Sequence, residues 1–165
     1  MGPHLLAPDV LERADAVVLL ASFGAFVPQD RAGRRLRAAL DGMAAKLSDE
    51  ASARVMLRQF FANVAAPQSV ELLPVGPVDG PLHLLRLRND LQILRDCRGL
   101  PSGFPSGARL LIVEAEDDMI VVPEARAMLR AALPQADVIT LPGVGHALLS
   151  ADVIPQVVEW VENAR

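Results

Sequence analysis

The feature that most constrains the fold is a set of three short, continuous apolar runs that include β-branched residues. They occupy residues 16–21 (AVVLLA), 109–114 (RLLIVE) and 136–141 (ADVITL). Runs of this kind are typical of strands in a parallel sheet, where both faces of a strand are buried. Helical patterns separate the runs, so we expect three parallel strands connected by helices, which is an α/β architecture.

The longest connection, residues 28–97, is predicted to be a helical insert between the first and second strands. Its first helix spans residues 30–47, where Asp30 suits the N-cap position. Ser48 is expected to cap the next helix, and residues 82–97 form a third helical pattern after a stretch rich in proline and glycine. The second of these helices is predicted to have an apolar face made of Val55, Leu57, Phe60 and Phe61.

Two further helices are predicted after the second strand. Pro123 suits the first turn of a helix that continues to residue 133. The last helix is expected to begin at Ser150 or Asp152. Its predicted buried side is made of Val153, Ile154, Val157, Val158, Trp160 and Val161.

Charge and cysteine content restrict the class of protein. The net charge of −4 argues against general nucleic-acid binding. Cys97 is the only cysteine, which excludes an intrachain disulfide and a zinc site built on cysteines. The apolar runs are far too short to span a bilayer, and the first residues lack the pattern of a secretory leader. We therefore expect a soluble cytoplasmic protein that binds neither nucleic acid nor a membrane.

Titratable residues follow two of the predicted strands. The second strand runs into the acidic segment 114–118 (EAEDD), and the third runs into a glycine-containing loop with His146. The carboxyl ends of neighbouring parallel strands lie about 4.8 Å apart, so an acid after one strand can contact a histidine after the next. A carboxylate placed there fixes the imidazole tautomer and stabilises the imidazolium that forms when the histidine accepts a proton. Two other interpretations stay open, a structural histidine and a metal or phosphoryl site at the acidic segment.

Residues 110–149 (LLIVEAEDDMIVVPEARAMLRAALPQADVITLPGVGHALL) resemble the seventh strand, helix, eighth strand and histidine loop of the α/β-hydrolases. Residues 16–26 (AVVLLASFGAF) resemble the sixth strand of the same family. The resemblance implies that Asp118, or less favourably Asp117, is the acid of a catalytic triad and His146 its base. The implied fold is a partial α/β-hydrolase, a three-stranded parallel sheet with a helical cap. Residues 1–27 and 98–165 form the core, and residues 28–97 form the cap.

The cap and the return segment 87–100 (LRNDLQILRDCRGL) resemble the pimeloyl-carrier-protein methyl ester esterases of biotin synthesis. The resemblance implies ester hydrolysis without a cofactor or metal, on a small-molecule or carrier-bound ester. An acyl pocket between cap and sheet is predicted at Phe23, Phe26, Met43, Phe60 and Phe61. A docking surface for acyl carrier protein is predicted at Arg31, Arg34, Arg35, Arg37, Arg54 and Arg58. Both sets also have simpler interpretations, as core side chains and as a solvated helix face.

The Gly-x-Ser-x-Gly motif that carries the family's nucleophile does not occur in this sequence. The chain begins Met1-Gly2 and reaches its first strand after one short helix, as the family does just after its serine. We therefore expect a misassigned start codon or a truncated gene. Without a nucleophile and an oxyanion hole, residues 1–165 alone should have negligible esterase activity.

The alternative is a non-catalytic remnant that binds a partner through its Arg-rich helices. The unpaired edge of the first strand favours self-association of the fragment. The serines occur in other contexts, at Ser22, Ser48, Ser52, Ser69, Ser102, Ser106 and Ser150.

Overall fold

A three-stranded parallel sheet forms the centre of the structure, a computed structural model that describes residues 2–74, 79–105 and 107–163. The strands are β1 (Ala16–Leu20), β2 (Arg109–Ala115) and β3 (Asp137–Leu141), in the spatial order β1-β2-β3. The central strand pairs on both sides, with Ile112 opposite Leu19 of β1 and Val138 of β3. The predicted three-stranded parallel sheet is confirmed.

Helices fill the connections between these strands. Before β1 lie two short helices, α1 (Gly2–Leu5) and α2 (Pro8–Glu12). The long connection from β1 to β2 contains α3 (Arg31–Lys46), α4 (Glu50–Ala65), a 3-10 turn (Val70–Leu72) and α5 (Leu84–Asp96). The remaining helices are α6 (Pro123–Ala132), between β2 and β3, and α7 (Val153–Glu162), after β3. In the described part of the chain, no helix is long and apolar enough to cross a membrane.

The core lies on the two faces of β2. On one face Leu110 and Ile112 pack with Leu129 of α6, and on the other Leu111 and Val113 pack with Val153 of α7. All four β2 side chains are at most 3% exposed. The continuous apolar run in β2 therefore reflects a strand that is covered on both faces.

The expectation of two buried faces is wrong for both edge strands. In β3 only Leu141 is buried, and Val138 is 45% exposed. It is also wrong for β1. Only Leu19 is fully buried in this strand, whereas the side chain of Leu20 is 47% exposed. The physical reason is that β1 lies at the edge of the sheet and pairs only with β2 among the described residues. A strand at an edge has fewer neighbours to cover its side chains, whatever its sequence pattern.

The two long helices of the insert are capped by aspartates. Asp30 accepts a hydrogen bond from the amide of Gly33 at 3.0 Å, as predicted for an N-cap. The prediction that Ser48 caps α4 is wrong, since Asp49 accepts the amide of Ser52 at 2.9 Å instead. Two candidate caps stand side by side, and the start of α4 at residue 50 makes Asp49 the residue that precedes its first turn.

The predicted apolar faces of α4 and α7 are also wrong in part. Val55 is 64% exposed, because α4 buries Ala53 and Met56 against the end of α3 and the start of α5. Helix α7 presents a single stripe to the sheet, formed by Val153, Val157 and Trp160 at helical spacing. The other apolar residues of α7 remain exposed: Ile154 at 65%, Val158 at 45% and Val161 at 44%.

Candidate functional site

Asp118 lies in the loop that follows β2, and its carboxylate is held by the backbone of the next residues. Oδ1 accepts hydrogen bonds from the amides of Ile120 at 2.7 Å and Val121 at 2.9 Å. Short local bonds of this type are a common use of aspartate in turns, where the side chain substitutes for a backbone acceptor. The side chain of Asp118 has no exposed surface, so these bonds fix its orientation.

His146 lies in the loop that follows β3. Gly143 adopts a left-handed conformation there, with φ of +65°, which a side chain would disfavour. The carbonyl of Val144 accepts the amide of Asp117 at 3.0 Å, and this bond joins the histidine loop to the acidic loop after β2. The adjacent strand ends thus place the two loops side by side, as the parallel topology requires.

The structure brings Asp118 and His146 together. Nδ1 of His146 lies 2.9 Å from Oδ2 of Asp118, although 28 positions separate the two residues in the sequence. The histidine side chain is 26% exposed, and its Nε2 atom has no hydrogen-bond partner in the described ranges. Asp117, the alternative acid, has an exposed side chain and contributes its backbone amide instead.

The surroundings of Asp118 favour the charged carboxylate. Burial by itself would raise the pKa of this group, since it removes water from the charge. The hydrogen bond and positive charge of His146, together with the amides of Val121 and Ile120, outweigh burial and hold the pKa of Asp118 below its ordinary value. Asp118 is therefore an acceptor at neutral pH. Opposite this charged acceptor, Nδ1 of His146 is the donor of the 2.9 Å hydrogen bond, and Nε2 has no partner among the described residues.

Two features of this site were not predicted from the sequence. One is the pair of amides at Ile120 and Val121, for which an aspartate followed by a short turn was the available signal. The other is the contact between the histidine loop and the end of α4. The carbonyl of Val64 accepts the amide of Ala147 at 3.0 Å, and Nε2 of Gln68 donates to the carbonyl of Gly143 at 2.9 Å. Nothing in the sequence pattern indicates this second contact, because 75 positions separate Gln68 from Gly143.

The apolar residues predicted to line an acyl pocket lie in three different environments. Phe23 and Phe26 are 8% and 5% exposed and form an edge-to-face pair with centroids 4.9 Å apart, in a cluster that includes Val121. Met43 is partly buried against the cluster around Leu47. The remaining two form a tilted, half-buried pair on α4 with centroids 5.8 Å apart: Phe60 and Phe61.

The arginines predicted to dock a partner divide into two groups. Arg54 binds Glu50 at 2.8 Å and the carbonyl of Gly80 at 2.9 Å, and Arg58 binds Asp79 at 2.8 Å. Both guanidinium groups therefore connect α4 to residues 79 and 80 within the insert. The others lie on the first two turns of α3, where three are exposed and the last is half-buried: Arg31, Arg34, Arg35 and Arg37.

The acidic residues at the end of β2 and in the loop after it do not converge on one point. Glu114 is buried on the α6 face of the sheet and forms an ion pair with Arg130. Asp118 binds His146, while Glu116 and Asp117 are exposed. Among the residues described, no group of three or more His, Cys, Asp or Glu side chains is arranged to hold a metal ion. The geometry supports an acid–histidine pair.

The backbone resembles several solved α/β-hydrolases, each at low sequence identity. Esterase RhEst1 from Rhodococcus sp. ECU1013 matches with a TM-score of 0.60 at 15% identity, over 90% of this chain and 56% of that one. The enzyme MGS-M2 from a Medee basin deep-sea metagenome library matches with a TM-score of 0.59 at 17% identity, over 87% and 53%. A serine hydrolase from Cycloclasticus zankles matches with a TM-score of 0.55 at 13% identity, over 94% and 59%.

These likenesses define the class of fold. The chain has a partial α/β-hydrolase fold, as predicted, with the acid–histidine pair at its strand ends. It spans little more than half the length of the solved structures that it matches. The sequence matches no protein-family model and no curated protein sequence.

Proposed function

We propose that Asp118 and His146 are the acid and base of a serine-type carboxylic-ester hydrolase. The observation that carries the proposal is the 2.9 Å contact between His146 Nδ1 and a buried Asp118 carboxylate that two backbone amides anchor. In such a pair the acid holds the imidazole in the tautomer whose Nε2 accepts a proton. The same Nε2 then returns the proton to the leaving alcohol.

The reaction also needs a nucleophile and an oxyanion hole. We propose that further polypeptide paired with the edge of β1 supplies both. Three observations support this step: the sequence contains no Gly-x-Ser-x-Gly motif, β1 has no second partner in the described residues, and the matched hydrolases are almost twice as long. In the α/β-hydrolases that the sequence resembles, the nucleophile elbow precedes the strand corresponding to β1, so the missing group would enter from this edge.

The test compares esterase activity in two polypeptides. One is the 165-residue chain, and the other is the product of the reading frame extended upstream of Met1. With p-nitrophenyl esters as substrates, we expect turnover only in the extended product, and at least about a thousandfold loss in its His146→Ala variant. The control is His83→Ala, which alters an exposed histidine outside the pair. An upstream frame without a serine elbow, or turnover that survives His146→Ala, would contradict the proposal.

We further propose a carrier-bound methyl ester as the substrate and the cytoplasm as its location. Support comes from the resemblance of the cap and from the exposed guanidinium groups on α3, which suit an acidic carrier protein. The test is the charge reversal of Arg31, Arg34 and Arg35 to Glu in the extended product. We expect weaker use of carrier-bound esters and unchanged use of p-nitrophenyl esters. Equal loss on both substrates would contradict docking through this surface.

A second candidate is a non-catalytic module that binds an acidic partner through the same α3 surface. The exposed arginines alone favour it, since they do not depend on a nucleophile. It predicts that the 165-residue chain is monodisperse and binds acyl carrier protein without any turnover. The two candidates differ in the extended reading frame, which contains a serine elbow only in the first.

A further inference from the structure

The end of α4 and the residues after it contact the histidine loop at every second residue, at positions 143, 145 and 147. The carbonyl of Gly143 accepts a hydrogen bond from the side-chain amide of Gln68, at 2.9 Å. Gly145 lies against the backbone of Ala66 so closely that a β-carbon there would come within 1.6 Å of the Ala66 oxygen. Ala147 donates its amide to the carbonyl of Val64 at 3.0 Å. These contacts bracket His146 on both sides along the chain.

On its opposite side the loop is held by the acidic loop. The amide of Asp117 donates to the carbonyl of Val144 at 3.0 Å, one residue before the acid itself. His146 is therefore positioned between two independent supports, one from the sheet and one from the helical insert. The sheet alone does not determine where the imidazole lies, since the end of α4 and the residues directly after it also contact residues 143–147.

Of the three contacts described above, only that of Gln68 is made by a side chain of the insert. Its Nε2 is satisfied by Gly143, whereas its Oε1 is buried and has no partner among the described residues. Rotating the amide by 180° would place Oε1 against the Gly143 oxygen, so the observed orientation is the one that lets the amide donate. Because an unsatisfied buried acceptor is unfavourable, replacing the amide with an apolar group of similar length should not destabilise the fold.

We infer that Gln68 is a positioning residue for His146, and that the insert thereby controls the geometry of the Asp118–His146 pair. Its hydrogen bond to Gly143 fixes the turn that begins the histidine loop, and this turn sets the 2.9 Å contact between Nδ1 and Oδ2. A displacement of α4 away from the sheet would release the loop at all three positions. The catalytic meaning of this control rests on the proposed function, but the structural coupling does not.

The test measures the Nδ1 proton of His146 by NMR in the 165-residue chain labelled with ¹⁵N-histidine. Gln68→Met removes the donor and the unsatisfied acceptor while keeping the length of the side chain. We expect solvent exchange of the Nδ1 proton to become at least about tenfold faster, with no loss of global stability. Gln68→Lys restores a donor and should recover slow exchange, which a purely space-filling role would not produce. Rapid exchange in Gln68→Lys as well would contradict a role for the donor.

The matched control is Gln59→Met, since Gln59 is an exposed glutamine on α4 whose amide binds Asn63 and not the loop. It should leave exchange at His146 unchanged. Gly145→Ala provides a second, independent displacement, because its new β-carbon must move either the loop or Ala66. Its control is Gly42→Ala, where a β-carbon meets nothing within 4 Å. Unchanged exchange in both Gln68→Met and Gly145→Ala, in folded chains, would overturn the inference.

Activity separates this inference from the proposed function. In the extended, active polypeptide, Gln68→Met should lower kcat about tenfold and leave KM unchanged, because the base is misplaced while the acyl site is intact. If the extended polypeptide is inactive, the proposed function fails and the exchange experiment still decides the coupling. If exchange at His146 does not depend on Gln68, the coupling fails and the esterase assay still decides the function.

Discussion

Asp118 combines complete burial with a negative charge, two properties that oppose each other in a protein interior. Burial raises the free energy of the carboxylate, and three nearby donors lower it again. They are Nδ1 of His146 and the amides of Ile120 and Val121. The Asp118 carboxylate therefore has a structural role, since removal of its charge leaves three donors with a weaker acceptor.

At this scale we predict that Asp118→Asn lowers the free energy of unfolding by about 1–3 kcal/mol at pH 7, the range for hydrogen bonds to charged groups. Because the folded-state pKa of Asp118 is lowered, its contribution is fully present above the ordinary value of 3.8 and is lost as pH falls through the folded pKa. Urea titrations followed by Trp160 fluorescence, at pH 7 and at pH 3, measure the free energy of unfolding of the wild type and of the variant. The difference between wild type and variant should shrink at pH 3. A difference that grows in acid would contradict the assignment.

Helices α3 and α4 of the insert each begin directly after an aspartate that caps them, and local geometry determines which residue is the cap. Asp30 caps α3 and Asp49 caps α4, while neighbouring Ser48 donates to Asp49 at 3.5 Å and accepts no amide of the helix. A cap satisfies one of the amides that have no intrahelical partner. The C-terminal end of α4 supports the histidine loop, since the carbonyl of Val64 accepts the amide of Ala147.

For a single element we predict that Asp30→Ala destabilises the chain by about 1 kcal/mol through loss of the α3 cap. Asp30→Ser keeps a side-chain acceptor and should recover most of this loss. Chemical denaturation with the same fluorescence signal measures both variants. Equal destabilisation by Ala and Ser would show that Asp30 acts through its charge and not through the hydrogen bond to Gly33.

At the scale of the whole molecule, apolar side chains of β1 and α7 are exposed on the surface. Leu20 of β1 is 47% exposed, and Ile154, Val158 and Val161 form an exposed stripe on α7. An exposed edge strand with apolar side chains is a template for pairing with another chain. On β3, at the other edge of the sheet, Asp137 and Thr140 are exposed together with Val138, whose side chain is 45% exposed.

At the scale of the molecule we predict that the 165-residue chain associates with itself through β1. Leu20→Lys places a charge on that edge and should shift the population toward monomer, as measured by size-exclusion chromatography with light scattering. Thr140→Lys on β3 is the matched control and should change the distribution little. If both lysines have the same effect, general charge repulsion and not the β1 edge governs association.

The sequence by itself determined the strands and most of the helices, since continuous apolar runs and helical spacing are local properties. It also placed an acid and a histidine at adjacent strand ends, because parallel topology brings carboxyl ends together. It failed for Leu20, Val55 and Ile154, whose exposure depends on which neighbours cover them.

The resemblance favoured Asp118 over Asp117, but only the tertiary structure decided that Asp118 meets His146 and what holds the histidine loop. Asp117 and Asp118 are adjacent and chemically equal, and the amides of Ile120 and Val121 select the second by fixing its direction. The contact of Gln68 with Gly143 spans 75 positions. A pattern within one segment cannot specify it, because it exists only after α4 has packed beside the sheet.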